Sequence, residues 1–433
     1  MAEVKLFGYC NNISVRPGDE QTFHVTADGT DTAEAQLVRL IHGDQHPDGP
    51  GFIEEEVDCE INGAWQVKKQ YTQVGSYLQV PDPENRLCID GSFSMFTYIW
   101  PSLHPKVGAQ AVCGRYDDFN NIGYAFGIDE TGHLGFIVAD GKEFDAVLSE
   151  IPLQRHIWYF IGASYDASTG RATLHQMGVV NRYNSLWGKV TPMDYDSHVS
   201  ETLRFKPKHA PDISFLVGGT WDFHANRGKF VNELYSGKVD RPGVVSRALS
   251  REEFDHICSG GKPPKNDILA YWDTSVGYTD TGIGDTVTDT GPHGLHAIGV
   301  NKPVRAQTGW NWNGRNDCFR LAPEEYGGIE FHDDAIIDCG WDVTHRLTIP
   351  DNLKSGVYAI RLRAGEGTGL GEEYIVFFIR AKTPRAPIAL LIPTASYLAY
   401  ANDHLTFDAQ MAQPIVGQTP IVSDIDIEVY QSP

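Results

Sequence analysis

The residues in this sequence that could do chemistry fall into a few groups, and their spacing limits what each can do. Tyr397 and Tyr400 lie three apart and are followed by Asn402, Asp403 and His404. From residue types alone, two tyrosines at that spacing pack on a strand end or a first helical turn. The neighbouring Asn402, Asp403 and His404 suit a turn and helix cap, or groups that orient a ligand. His332, Asp333 and Asp334 have the elements of a metal site, yet adjacent residues on a strand point to opposite faces and cannot all converge. They read as a solvated loop before a strand. His42, Asp44 and His46 share a period of two, but Gly43, Pro47, Gly49, Pro50 and Gly51 around them predict a rigid loop with hydrogen-bonded histidine. His293 and His296, beside Gly291, Pro292 and Gly294, read as turn chemistry. No nucleophile elbow, phosphate-binding loop, zinc-protease helix motif or dinucleotide fingerprint is present.

Elements must position these groups, and composition says which kind. The 44 glycines and 24 prolines punctuate short runs rich in Val, Ile, Phe, Tyr and Thr, so the chain is mainly β. At 433 residues it is too long for one core, and two to four domains are expected. The balance of 35 basic against 57 acidic residues, a formal charge of −22, repels phosphate backbones and anionic membrane surfaces. Nucleic acid and membranes are therefore not expected partners. No apolar run reaches the ~20 residues of a membrane span. The first residues lack the apolar core of a signal peptide, which predicts a cytoplasmic protein. Seven scattered cysteines (Cys10, Cys59, Cys88, Cys113, Cys258, Cys318 and Cys339) show no close pair and are expected as buried free thiols.

Near the start, Pro17-Gly18 marks a turn between Ser14-Val15 and a strand over 21–27, which predicts an antiparallel pair with Phe23, Val25 and Ala27 on one face. A third strand covers 35–42. Far downstream, 347–362 and 373–380 read as later strands of a sandwich, and neither group makes two covered sheets alone. The expectation is one discontinuous immunoglobulin-like sandwich from 1–65 plus 320–382, with 66–319 inserted. The insert resembles a concanavalin/laminin-G-like jelly roll. Phe93, Met95, Thr97 and Ile99 should line one face, with the aromatic strand around Trp158 in the opposing sheet. A helix over 250–260 has a Ser250 N-cap, Glu253 for a capping box and Gly260 as its stop. After a linker at 381–385, the apolar run 386–393 suits a parallel strand buried on both faces. It would open an α/β domain over 383–433, with 394–403 at the strand's carboxyl end, where sites of such sheets lie. About forty residues are too few to complete such a domain, so further polypeptide is expected.

Several stretches resemble one family. They are Leu40 to Asp44 with Gly49-Pro50-Gly51, Asp289 to His296, Asn311-Trp312-Asn313-Gly314, Tyr326 to Asp334, Ser355 to Ala359, and Ser396 to Asn402. In this order they are similar to the amino-terminal part of the large (beta) subunit of N,N-dimethylformamidases. The resemblance implies hydrolysis of N,N-dimethylformamide to dimethylamine and formate. It also implies a mononuclear iron, ferric in state, held by two tyrosines and a glutamate. Tyr400 is the ligand it assigns here, with Tyr397 as the alternative; the second tyrosine, the glutamate and a general acid are expected beyond Pro433. A small subunit and an oligomer of heterodimers are the implied partners beside a small amide substrate. Phenolate oxygen suits a hard trivalent cation, and an amide without N–H needs Lewis-acid contact at oxygen and an apolar pocket. Two other functions fit the residues. One is a noncatalytic carbohydrate-binding or scaffold protein using aromatics such as Trp187 and Trp221. The other is a related amidase acting on another small amide.

Overall fold

In the computed structural model, residues 4–43, 48–103, 108–179, 195–279 and 283–399 are described. They divide into two compact units, one made of residues 4–72 with 339–399 and the other Gln73–Asp338.

The first unit packs two sheets. One has three strands in the order Lys5–Cys10, Glu20–Asp28, His345–Thr348, all antiparallel. The other runs Ser14–Val15, Gly371–Ile379, Gly356–Ala364, Thr32–His42, Ile53–Glu56, with Gly63–Gln66 also on Thr32–His42. The two halves of the chain interleave: Phe23 lies opposite His345, and Leu37 opposite Ile360. Phe23, Val25 and Ala27 are buried on one face, as their period of two predicts, and pack with Leu37, Trp65, Ile360, Leu362 and Phe377. The Pro17-Gly18 turn differs from expectation. Gly18 takes φ +90, and Ser14–Val15 leaves its neighbour in sequence to pair in parallel with Gly371–Ile379 in the other sheet. The turn is thus a corner between sheets rather than a hairpin.

The second unit is a jelly-roll-like sandwich. Its first sheet runs Phe144–Leu148, Leu134–Asp140, Ile122–Ile128, Gln110–Asp117, Phe215–Val217, Tyr77–Val80, Ala297–Val300, Thr286–Val287. Its second runs Ser197–Thr202, Arg171–Gly178, Tyr159–Asp166, Phe93–Pro101, Gly237–Val245, Gly328–Phe331, Val304–Gln307. Phe93, Met95 and Ile99 are fully buried and meet Tyr124, Phe126, Phe136 and Val138 of the facing sheet. The strand after Trp158 does not lie in that facing sheet. Tyr159–Asp166 pairs directly with Phe93–Pro101, Tyr159 opposite Ile99. Alternation then sends Tyr159, Ile161, Ala163 and Tyr165 into the core, while Trp158 and Phe160 face outward beneath the helix Arg251–Cys258.

That helix begins as its sequence predicts. Ser250 Oγ accepts from the Glu253 N–H, and the Glu253 carboxylate accepts from the Ser250 N–H at 2.9 Å. Phe254 and Ile257 are its buried face, and Gly260 (φ +88) ends it.

Two boundaries differ from expectation. Residues 66–72 stay with the first unit, where Gln70 Nε2 donates to Val25 O at 2.8 Å and its N–H to Thr26 Oγ1 at 2.8 Å. Residues 320–338 belong to the second, because Gly328–Phe331 pairs with Gly237–Val245. Of the cysteines, Cys113 is buried and the other six are partly exposed.

Candidate functional site

The segment expected to open an α/β domain is not a strand in this structure. Residues 386–393 join no sheet, and Ile388, Leu390 and Leu391 are 84%, 77% and 93% exposed. An apolar run becomes a buried parallel strand only when neighbours supply both ladders and both faces, and no described strand pairs with it. It leads into the short helix Thr394–Ala399. There Tyr397 is 51% exposed, its ring centroid 6.5 Å from that of Phe378. Tyr400, Asn402, Asp403 and His404 lie outside the described residues.

The histidine groups have separate local roles. His42 hydrogen-bonds through Nδ1 to the Gly51 carbonyl at 2.8 Å, the rigid-loop arrangement, and Asp44 and His46 lie outside the described residues. His332, Asp333 and Asp334 are exposed just past the strand Gly328–Phe331, and Asp333 is occupied by Ser236, whose Oγ lies 2.8 Å from its carboxylate. His293 and His296 sit in a turn organised by buried Asp289. Its carboxylate accepts from the N–H groups of Tyr271 (2.9 Å), Gly291 (2.7 Å) and Leu295 (2.8 Å), while His296 Nδ1 accepts from the Asp289 N–H. Trp221 donates its indole N–H to Ser214 O at 2.9 Å, with Lys229 Nζ 5.1 Å from its ring; Trp187 lies outside the described residues. Among the described residues no three His, Cys, Asp or Glu side chains gather into a group able to hold a metal.

A concave site that these motifs did not single out lies on the second unit. Strand Gly237–Val245 is irregular between Asp240 and Gly243 against its neighbour Phe93–Pro101, and Arg241 there holds φ +51. Left-handed backbone at a non-glycine residue persists only where its surroundings fix it. Here Asp240, fully buried, does so. Its two oxygens receive Arg241 Nη1 at 3.0 and 3.1 Å, and Oδ1 receives Thr274 Oγ1 at 2.8 Å. Gly309 and Gly327 press against the same carboxylate, and a Cβ at either would lie within 2.5 Å of it. Arg241 Nη2 also donates to Glu324 O at 2.7 Å, and its Nε is 3.7 Å from Asp273. Burial raises the Asp240 pKa against the pull of Arg241. For Arg241 burial acts downward, but Asp240 and Asp273 outweigh it and the net shift is upward. The guanidinium is a fixed cation facing a cleft of about 580 Å³, within the range of small-molecule sites. Tyr98 and Trp310 stack flat at 4.4 Å in its lining, which also includes Tyr271, Asp273, Lys262, Lys265 and Asn311. The sequence carried a signal for this: Asp240-Arg241-Pro242-Gly243 between Val239 and Val244-Val245 marks a bulge with a buried charge.

The profile of a family described as N,N-dimethylformamidase beta subunit-like, C-terminal, matches residues 304–425. The N,N-dimethylformamidase beta subunit of Paracoccus aminophilus is 39% identical over 100% of this chain. That of an Alcaligenes species is 37% identical over the same extent. The chain is related along its whole length to N,N-dimethylformamidase beta subunits. It spans 57% of the length of each of these two relatives. Among solved structures, a putative carbohydrate binding protein from Bacteroides ovatus is similar over 69% of this chain and 90% of its own, with 11% identity and a TM-score of 0.37. The CBM40 of a Ruminococcus gnavus IT-sialidase is similar over 45% of this chain and 98% of its own, with 12% identity and a TM-score of 0.30. No helix among the described residues is long and apolar enough to cross a membrane.

Proposed function

We propose that this chain is the β-rich amino-terminal part of an amide hydrolase subunit that cleaves N,N-dimethylformamide with water to dimethylamine and formate. The observation that carries the reading is the unbroken similarity, at 39% and 37% identity across the whole chain, to two N,N-dimethylformamidase beta subunits. The name beta subunit supports a second, small subunit as partner, and we place the assembly, an oligomer of such heterodimers, in the cytoplasm.

The exposed run 386–393 supports further polypeptide. Ile388, Leu390 and Leu391 give their apolar surface to water, a state that proteins correct by covering the patch. In this reading they form the first buried strand of an α/β domain, and Tyr400 follows at its carboxyl end. The cofactor is a mononuclear ferric ion with Tyr400 as one ligand and Tyr397 as the alternative. Among the described residues no three His, Cys, Asp or Glu side chains gather into a metal-holding group, and no step is assigned to them. When bound, the ion supplies Lewis acidity toward an amide oxygen.

The test uses the complete assembly and reads iron content, phenolate-to-iron absorption and dimethylamine release together. Tyr400→Phe keeps the ring and removes the oxygen. It should lower turnover on the order of a hundredfold and remove the absorption band, while Tyr397→Phe leaves both. Undiminished turnover and absorption in Tyr400→Phe would end its role as ligand. An intact assembly that releases no dimethylamine from dimethylformamide but hydrolyses bulkier amides would move the reading to a related amidase.

A further inference from the structure

The register of the first unit's larger sheet sorts its side chains onto two faces, since residues directly opposite one another point the same way. One face carries Leu37, Ile360 and Phe377 into the core. On the other, Val357 lies between Leu40 and Phe378, and Ala359 between Val38 and Val376. Further along the same strands, Arg361 lies between Gln36 and Tyr374, and Arg363 between Glu34 and Glu372. An antiparallel sheet packed on a core by one face ordinarily turns polar side chains to water on the other. The rows of Arg361 and Arg363 do this, and their charges are matched: Arg361 by Glu54 and Glu56, Arg363 by Glu372. The rows of Val357 and Ala359 do not. All six of their side chains are apolar; Val376 is 41% exposed, and Leu40, Val357 and Phe378 are half-buried. A contiguous apolar area on a sheet face marks a surface that another body covers.

The path of the chain indicates which body. Gly371–Ile379 ends at these apolar rows, and the run 386–393 then carries Ile388, Leu390 and Leu391 into water. The helix Thr394–Ala399 comes back to the same face, with the Tyr397 ring centroid 6.5 Å from that of Phe378. An apolar segment that joins no described sheet thus leaves from, and returns to, an apolar sheet face. One body answers both: it gives the segment a ladder and the face a cover. A part of the same polypeptide that follows residue 397 is tethered at this face, so its effective concentration there exceeds that of a separate chain.

We propose that the apolar half of this face, centred on Val357, Ala359, Val376 and Phe378, is the docking surface for the carboxy-terminal part of the same subunit. Residues 386–397 lead that part onto the face. The proposal rests on the reading of this chain as the amino-terminal part of a longer amidase subunit, and it adds the surface on which the remainder sits.

The experiment is maleimide labelling of the full-length subunit in its assembly, mapped by peptide mass. Val376→Cys places a thiol on the apolar rows, and Glu372→Cys places one on the charged row of the same strand. Both positions are exposed here, so both variants keep the fold, and buried Cys113 should stay unlabelled as the check. Val376→Cys should react at least about tenfold more slowly than Glu372→Cys, and should remain slow after the small subunit is removed and the protein diluted. Phe378→p-benzoylphenylalanine, irradiated in the same assembly, should capture peptides that follow Pro433. The docking is overturned if the two thiols react alike, if protection disappears with the small subunit or on dilution, or if peptides beyond Pro433 are not captured. Intact mass and dimethylamine release separate the two readings. A native polypeptide that ends at Pro433 overturns the longer subunit and the docking with it, whereas a longer, active subunit with both thiols equally reactive overturns the docking alone.

Discussion

His175 and His198 face one another on adjacent strands of the second unit with their Nδ1 atoms 2.9 Å apart, a spacing that needs one proton between them. One ring donates and the other accepts, so the pair is complete when both are neutral. Burial, then His198, then Arg251 push His175 down to about 4, with Asp255 opposing. His198 is lowered by burial and Arg251, with Asp196 and Asp255 opposing. A histidine whose folded pKa lies below its unfolded value near 6.5 binds more protons when unfolded. Stability is therefore full above about 6.5 and falls as pH drops toward 4, with no further loss from this group below that. The loss should be on the order of 2 kcal/mol. Urea midpoints measured from pH 7 to 4.5 should fall less steeply for His175→Gln than for the parent, and parallel slopes would refute the assignment. At this scale the sequence says little. His175 and His198 are 23 residues apart, and only the register of Arg171–Gly178 on Ser197–Thr202 joins them. The same holds for Asp240, whose partners Thr274 and Trp310 arrive from distant loops. His42 and His296 were legible because Gly and Pro beside them fix a local turn.

Local signals are stronger for elements. Ser250, Glu253 and Gly260 announce the helix Arg251–Cys258 because capping satisfies backbone groups within a few residues. That helix covers Phe96, Tyr98 and Phe160 on the outer face of its sheet. Arg247 anchors it further, reaching Glu253 at 2.5 Å and Asp267 at 2.7 Å. Ser250→Ala removes the acceptor for the Glu253 N–H and should cost about 1 kcal/mol, and Ser250→Asp should restore most of it. Chemical denaturation of the three proteins decides the matter; an unchanged midpoint in Ser250→Ala would mean that the cap contributes nothing to folding. Sheet membership is a different kind of fact. The period of two in 93–101 told which side chains share a face, but not that 159–166 is its neighbour in the same sheet. Pairing is a choice among all available edges. The run 386–393 fails for the same reason: its composition fits a central strand, and no described edge receives it.

At the scale of the molecule, a β-sandwich is interrupted by a much larger one, and the ends of the interruption are fastened together. The Gly75 N–H donates to Ala335 O at 2.7 Å and the Ser76 N–H to His332 O at 2.9 Å, so residues far apart in sequence leave and re-enter side by side. The host is fastened on its own side. Trp341 Nε1 donates to Thr72 Oγ1 at 3.0 Å, the Asp342 N–H to Gln70 Oε1 at 2.9 Å, and Lys68 meets Asp342 at 2.5 Å. Each unit has its own core: Phe93, Tyr124 and Trp272 belong to one cluster, and Phe23, Trp65 and Phe377 to another. The sequence showed a host too incomplete at either end to cover two sheets. The placement of its boundaries needed the pairing of 320–338 and the contacts of 66–72, which short-range patterns do not carry. With adjacent ends, the host loses little loop-closure entropy to the insert, since that cost grows only with the logarithm of loop length. Residues 73–338 expressed alone should therefore fold into a rigid sandwich with a single cooperative thermal transition. The complementary chain, with 73–338 replaced by a short Gly/Ser linker, should keep the native near-ultraviolet signal of Trp65 and Trp341. A molten 73–338 without side-chain order would instead mean that the host holds the insert together, and the clasp at Gly75 and Ala335 would then be a consequence of that support rather than its substitute.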